Sequence, residues 1–158
     1  MQEMHFCFLN NHKSNNMTQK QTELVRSTWS MVAAMDHVAV GQLFYNRLFE
    51  IAPQVKPMFR NPMDEQSKKL FAMISYVIAK LDKLDTILAE VAKLAQRHAG
   101  YGVQADHYTI VGEALLWTLE KGLAENWNEE TRMAWLECYT ILSNAMITFS
   151  SQEVHKAA

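Results

Sequence analysis

Apolar residues recur at intervals of three and four along most of this chain, the spacing that places side chains on one face of an α-helix. Five glycines and three prolines are also too few turn-forming residues for the many turns of an all-β fold. The sequence therefore predicts an all-α protein. The pattern predicts helices over residues 18–34, from Asp36 to about Ile51, over 64–82, from Asp85 to His98, over 104–124 and from Asn128 onward.

Capping residues and helix breakers set these predicted boundaries. Thr18, Asp36 and Asp85 carry side-chain oxygens that can accept hydrogen bonds from the first turn of a helix. Two prolines stop the second helix and permit only a short helical turn before Phe59. Residues 60–65 are predicted to form a loop. The helix that bears His98 is predicted to stop at two glycines, Gly100 and Gly102.

The predicted helices present apolar faces that would form the core. In the second helix this face contains Gly41, Phe44, Leu48 and Ile51, with Tyr45 at its edge. In the third it contains Leu70, Met73, Ile74, Val77, Ile78 and Leu81, and in the fourth Leu88, Val91, Leu94 and Ala95. In the last it contains Trp135, Tyr139, Leu142, Met146 and Phe149. Glycine inside a helix costs about 1 kcal/mol relative to alanine, so Gly41 indicates a close helix crossing.

Length and composition are those of one domain. The chain has 158 residues, and 49% of them are hydrophobic, enough to build a single core. We predict a domain over residues 18–150, a disordered asparagine-rich extension over 1–17 and a C-terminal tail over 151–158. Met17 is a second candidate for the true start of the protein.

Charge and cysteine content narrow the classes of function. A formal net charge of −2 without a dense basic run argues against a nucleic-acid partner. No apolar run approaches the ~20 residues needed to cross a bilayer, so no membrane span is predicted. Cys7 and Cys138 form neither a disulfide framework nor a CxxC metal pair, which suits a reducing compartment. With no signal peptide evident, we predict a cytoplasmic protein.

His98 is the first candidate for a functional residue, because it ends a predicted helix and is followed by a turn that contains two glycines. By itself the residue is ambiguous, since a single histidine on an apolar helix face is more often a hydrogen-bonded core residue than a metal ligand. The other histidines are given no metal role, because they lie in predicted tails or at helix starts: His5, His12, His37, His107 and His155.

Three segments carry a family resemblance. They are FYNRLFEIAPQVKPMF at residues 44–59, QSKKL at 66–70 and RHAGYGVQADHYTIVGEALL at 97–116. From about residue 18 to 149 the chain resembles the globins, most closely the single-domain bacterial haemoglobins and the haem domain of flavohaemoglobins. The resemblance implies helices packed around a pocket for haem b.

The same resemblance implies a role for each matching residue. His98 would be the proximal iron ligand, with its second ring nitrogen donating to a nearby carbonyl. Tyr45 and Gln66 would be the distal hydrogen-bond donors, which stabilise negative charge on a bound diatomic ligand in a dry pocket. Leu70 would lie over that ligand. The remaining haem contacts would be Phe59, Lys69, Arg97, Val103 and Tyr108. For Lys69 and Arg97 a merely solvated position is an equal alternative.

Two features depart from or extend this pattern. In flavohaemoglobins a glutamate of the last helix acts with the tyrosine matching Tyr108 to make the proximal histidine a stronger electron donor, whereas this chain has Ser150 there and Glu153 three residues further on. Strong proximal activation is therefore not expected.

The distal helix contains no histidine, so an open coordination site is predicted in the ferrous state, and Met63 and Met73 are read as packing residues.

The resemblance implies reversible binding of dioxygen, and of nitric oxide and carbon monoxide, and we predict a monomer or homodimer. Nitric oxide dioxygenation is a further possibility, but no GxGxxG motif follows a strand, so we expect it to require a separate reductase. The alternatives are a haem-based gas or redox sensor that signals to a partner protein, and a haem-free globin-like regulator.

Overall fold

Six α-helices account for most of the part of the chain that the structure describes. The structure is a computed structural model that describes residues 17–157, with side chains as far as residue 150. Within these residues there is no β-strand, and the prediction of an all-α protein is confirmed. The helices are α1 (Gln19–Ala33), α2 (His37–Ile51), α3 (Met63–Ala79), α4 (Leu88–Gly100), α5 (Ala105–Leu123) and α6 (Glu129–Ala157), with 3-10 segments at Pro53–Met58, Leu81–Ile87 and Ala124–Asn126.

Some predictions fall outside this description. Those for the extension at residues 1–16, with Cys7, His5 and His12, lie outside the described residues, as do those for the side chains of Glu153 and His155. The C-terminal segment predicted as a tail continues α6 as far as Ala157. None of the described helices is long and apolar enough to cross a membrane.

Side-chain hydrogen bonds cap the starts of α1, α2 and α6, as predicted. Thr18 and Gln21 exchange two side-chain-to-backbone hydrogen bonds of 3.1 Å, a capping box. The Asp36 carboxylate accepts from the backbone N–H of Val38 at 2.9 Å. Asn128 accepts from a backbone N–H in the first turn of α6 at 2.8 Å. Each bond satisfies a donor that the helix itself leaves unpaired.

The predicted boundaries between the third and fourth helices are wrong. α3 begins at Met63, so the loop is limited to residues 60–62, and α3 ends at Ala79 rather than near residue 82. Asp85 lies inside the 3-10 segment Leu81–Ile87, and α4 begins without a side-chain cap. Both end residues of this segment, Leu81 and Ile87, are buried. Packing of these two side chains into the core therefore overrides the capping signal.

Two side chains predicted to lie on apolar faces are exposed. Met73 is 38% exposed and Leu88 is 46% exposed. The buried face of α3 contains Ser67, Phe71 and Ile78, at spacings of four and seven, so Met73 turns toward solvent. Leu88 is the first residue of α4 and precedes the buried positions of that helix. The predicted stripe on α6 turns inward: Trp135 and Met146 are buried, Leu142 and Phe149 pack against buried apolar residues, and Tyr139 is half-buried.

The crossing of α2 and α3 is as close as Gly41 predicts. A Cβ atom added to Gly41 would lie 2.0 Å from Oγ and 2.2 Å from Cβ of Ser67. The Ser67 hydroxyl donates to the Met63 carbonyl at 2.7 Å, so this small polar residue is satisfied within its own helix. The crossing fixes α3 over α2, where the predicted distal residues lie.

Gly41→Ala is therefore expected to destabilise the protein by about 1–3 kcal/mol, because the two helices must move apart. Urea unfolding followed by circular dichroism measures the change. The double variant Gly41→Ala/Ser67→Gly should recover part of the loss, since it removes the nearest clashing atoms. Equal stability of Gly41→Ala and wild type would contradict the close crossing.

Candidate functional site

His98 lies in the last turn of α4 with its ring half-buried. Its Nδ1 atom is 2.8 Å from the carbonyl oxygen of Leu94, one turn earlier. An atom that close to a carbonyl must carry the proton, so Nε2 of the neutral ring is left with its lone pair free to bind a metal. Burial lowers the pKa of His98 below its ordinary value of 6.5, the Leu94 hydrogen bond opposes this, and the charge of Arg97 lowers it further. The imidazole is therefore neutral at pH 7.

The corner after α4 is tied back to His98. Gly102 adopts φ = 87°, a conformation that favours glycine and turns the chain. The backbone N–H of Val103 then donates to the carbonyl of His98 at 3.0 Å, and the Val103 side chain is half-buried. This hydrogen bond holds the turn that follows α4 and so restrains the helix end that carries His98.

Tyr108 on α5 lies beside His98. The two rings are nearly parallel, with centroids 6.4 Å apart and planes at 21°. The hydroxyl of Tyr139 donates to the backbone carbonyl of Tyr108, and Gly112 makes room for the Tyr139 ring, which would lie 2.6 Å from an added Cβ. The role of Gly112 was not predicted, although a glycine inside a helix is the same signal that identified Gly41.

The Tyr108 hydroxyl is buried and makes no hydrogen bond of good geometry. Ser150 lies next to it and partly opposes the rise that burial causes in the pKa of Tyr108. The Ser150 hydroxyl itself donates to the carbonyls of Met146 at 2.8 Å and Ala95 at 3.3 Å. The neutral side chain of Ser150 therefore links α6 to α4 and lies near Tyr108.

Tyr45, predicted at the edge of the apolar face of α2, is 4% exposed and belongs to the buried face of that helix. The close crossing at Gly41 brings α3 over this part of α2, and the tyrosine ring becomes enclosed. Its hydroxyl donates to the backbone carbonyl of Gln66 at 3.4 Å, a long and weak hydrogen bond. Burial raises the pKa of Tyr45 to about 12, so the phenol remains protonated and able to donate.

Phe59 completes an aromatic group around Tyr45. The Tyr45 and Phe59 ring centroids are 5.3 Å apart at 66°, and those of Phe49 and Phe59 are 5.5 Å apart at 61°. The N–H of Phe59 donates to the carbonyl of Lys56 at 3.1 Å, which holds it at the end of the 3-10 segment. Edge-to-face packing of this kind restrains ring orientation.

Four of the site residues predicted from the sequence, Tyr45, Phe59, Leu70 and Tyr108, belong to or pack against two apolar clusters. The distal cluster contains Phe44, Tyr45, Leu48, Ala52, Val55 and Ala114, with Phe59 and Leu70 packed against it. The proximal cluster contains Ile87, Val91, Ala95 and Met146, with Leu94 and Tyr108 packed against it. Lys69 and Arg97 are exposed, whereas Gln66 and Leu70 are half-buried. Tyr45 and its aromatic neighbours thus belong to the distal cluster, whereas His98 lies beside Tyr108 of the proximal cluster.

The remaining described histidines have structural contacts. His37 stacks on Phe71 with centroids 4.2 Å apart, and its Nε2 lies 2.8 Å from the Ala33 carbonyl. The Nδ1 atom of His107 accepts from the backbone N–H of Gln104 at 2.9 Å at the start of α5. Among the described residues no group of three or more His, Cys, Asp or Glu could hold a metal ion.

Comparison with known proteins shows similarity to globins. The Globin family model matches residues 42–146. Neuroglobin-1 of Oncorhynchus mykiss is 28% identical over 144 residues, covering 82% of this chain and 90% of that protein. A flavohemoprotein of Rhizobium meliloti is 29% identical over 139 residues, covering 86% of this chain but 34% of that protein.

Solved structures show the same fold. A bacterial globin from Campylobacter jejuni has a TM-score of 0.77 at 26% identity and covers 87% of this chain and 99% of that one. An engineered carbene transferase from Rhodothermus marinus, also described as a candidate nitric oxide dioxygenase, has a TM-score of 0.79 at 25% identity and covers 90% and 99%. The family match spans more than half of the sequence, and the chain therefore belongs to the globin family.

Proposed function

We propose that the protein holds haem b through Nε2 of His98 and reversibly binds dioxygen and other diatomic gases beside Tyr45 and Gln66. The observation that carries the proposal is the state of His98. Its Nδ1 proton is donated to the Leu94 carbonyl, and burial keeps the ring neutral. The lone pair of Nε2 is therefore available to coordinate a metal ion. When bound, the haem iron supplies reversible coordination of small diatomic molecules.

The residues present fit such a group. One histidine without companion metal donors suits a cofactor that brings four nitrogen ligands of its own. The distal and proximal clusters are separate, and α3 and α4 do not pack extensively on each other. A flat apolar ring between the two clusters would cover the half-buried faces of Phe59 and Leu70. Haem would thus remove from water apolar surface that each cluster alone leaves exposed.

The distal side chains would control the bound gas. Tyr45 offers a buried, protonated hydroxyl whose present hydrogen bond is weak, so it can turn to a better acceptor. Gln66 lies on the same side, half-buried, and adds a second donor. Leu70 would exclude water above the ligand. The exposed cations Lys69 and Arg97 would neutralise the haem propionates, and Val103 and Tyr108 would pack near the proximal face.

We extend the proposal to nitric oxide dioxygenation with a separate reductase. Its support is the similarity to flavohemoproteins and to a candidate nitric oxide dioxygenase. Conversion of nitric oxide and dioxygen to nitrate consumes one electron per turnover, so a reductase must supply it. Neutral Ser150 beside Tyr108 provides no carboxylate to increase the electron donation of His98. The buried free thiol of Cys138 fits a reducing cytoplasm as the site of action.

Visible absorption of the purified protein tests the haem assignment. We expect a Soret band that shifts on reduction with dithionite and again on addition of carbon monoxide. A folded protein that stays colourless after incubation with hemin would refute the proposal. Nitric oxide consumption in air, with and without an added reductase, then distinguishes a catalyst from a carrier, because a carrier reacts once and stops.

A further inference from the structure

The surface that α2 and α5 form where they pack together carries a tryptophan held by two cations. The guanidinium carbon of Arg47 on α2 lies 5.0 Å from the centre of the Trp117 ring on α5. The ammonium nitrogen of Lys121, one turn further along α5, lies 5.6 Å from the same centre. These cation–π contacts hold the half-buried indole at the surface. We call the surface formed by Leu43, Arg47, Glu50, Glu113, Trp117 and Lys121 the α2–α5 face.

The two cations are incompletely paired among the described residues. Arg47 contacts the exposed Glu50 at 3.3 Å, which is long for a charge-assisted hydrogen bond, and its Nε atom is buried without a hydrogen-bond partner. Lys121 forms no ion pair with any residue in the described part of the chain. Leu43, one turn before Arg47 on α2, is 36% exposed. Exposed apolar side chains together with tryptophan and arginine are typical of the centres of protein interfaces.

Opposite charges are placed symmetrically about Trp117. Glu113 precedes Trp117 by four residues and Lys121 follows it by four, so an acid and a base occupy the adjoining turns on the same side of α5. Both charged side chains are exposed. If two copies of α5 cross antiparallel at their tryptophans, Lys121 of each subunit faces Glu113 of the partner subunit. A two-fold axis through the crossing then forms this ion pair twice.

We propose that the α2–α5 face is the contact surface of a homodimer, with the two copies of Trp117 at the two-fold axis. A second copy supplies the opposite charge to both Glu113 and Lys121, whereas a partner with one predominant sign of charge would meet a like charge at one of them. The dimer also covers Leu43 and the edge of the indole, which removes apolar surface from water. None of these residues belongs to the distal or proximal cluster, so the dimer does not depend on haem or gas binding.

Analytical ultracentrifugation of the purified full chain over a range of concentrations tests the dimer. We expect a reversible monomer–dimer equilibrium that weakens as salt is added, because its ion pairs lie at the exposed edge of the contact. Lys121→Glu and Glu113→Lys are each expected to raise the dissociation constant about tenfold or more, since either change makes like charges face each other twice across the axis. A wild-type chain that stays monomeric up to about 1 mM overturns the proposal.

A charge swap tests how the two copies pair. The double variant Lys121→Glu/Glu113→Lys restores opposite charges across the axis and should recover most of the lost affinity. The two single variants, when mixed, should bind each other more tightly than either binds itself. Lys93→Glu, an exposed charge reversal on α4, is the matched control and should leave the dimer unchanged. Circular dichroism shows that each variant is folded. A dimer that neither single reversal weakens overturns the assignment to this face, and a double variant as weak as the single ones overturns the antiparallel pairing.

Discussion

Replacement of His98 by alanine is expected to lower haem affinity by about a hundredfold or more, because loss of the direct ligand should exceed the 10–100-fold effect of losing an outer partner. The physical reason is that, among the three histidines whose side chains the structure describes, only His98 has Nδ1 next to a carbonyl oxygen and a neutral Nε2 left free. Haem content and the Soret spectrum of protein purified with hemin present measure the effect.

The control for this prediction is His107→Gln, nine residues further along and in a structural role at the start of α5. It should retain haem and spectrum. His98→Gly with added imidazole provides a second test, because free imidazole can occupy the vacated space and restore the spectrum. Unchanged haem content in His98→Ala, with no other ligand replacing it, would refute the proximal assignment.

Tyr45→Phe is expected to speed dioxygen release by about ten- to a hundredfold, the loss of about 1.5–3 kcal/mol for a hydrogen bond to a charged acceptor. Stopped-flow displacement of dioxygen by carbon monoxide measures the rate. The fold should survive, because the Tyr45 hydroxyl makes only a 3.4 Å bond to the Gln66 carbonyl and the phenylalanine ring keeps the aromatic packing.

Tyr76→Phe is the matched control for that variant, since Tyr76 lies exposed on α3 and should leave the rate unchanged. The melting temperature of Tyr45→Phe is measured alongside. A dioxygen off-rate equal to that of wild type in a stable Tyr45→Phe variant would show that the phenol is a structural residue and donates nothing to the gas.

The starts of α1, α2 and α6 and the corner after His98 were predictable, because they depend on residues close in sequence. Thr18, Asp36 and Asn128 cap helices through bonds that span two or three residues. Gly102 turns the chain through its own backbone freedom. The all-α class and the globin family also follow from short-range spacing and motifs, and both are confirmed.

The site was predictable only in part. Sequence motifs singled out His98, Tyr45 and Gln66, and their roles in gas binding stay predictions. The resemblance implied a dry surrounding for Tyr45, but the contacts that bury its ring could not be predicted, because they depend on α3 lying across α2 at Gly41. The sequence also gave no sign that the Tyr108 hydroxyl would be buried without a well-formed hydrogen bond.

The sequence alone was enough to assign the helical class and most helix starts and to single out His98 as the candidate ligand, since these depend on local hydrogen bonding and on motifs of residues close in the chain. Only the packing of the helices settled where α3 and α4 begin and end and which of their side chains are buried. These outcomes depend on contacts between residues far apart in the chain. Leu81 and Ile87 show the reason: burial of two apolar side chains outweighs one capping bond from Asp85.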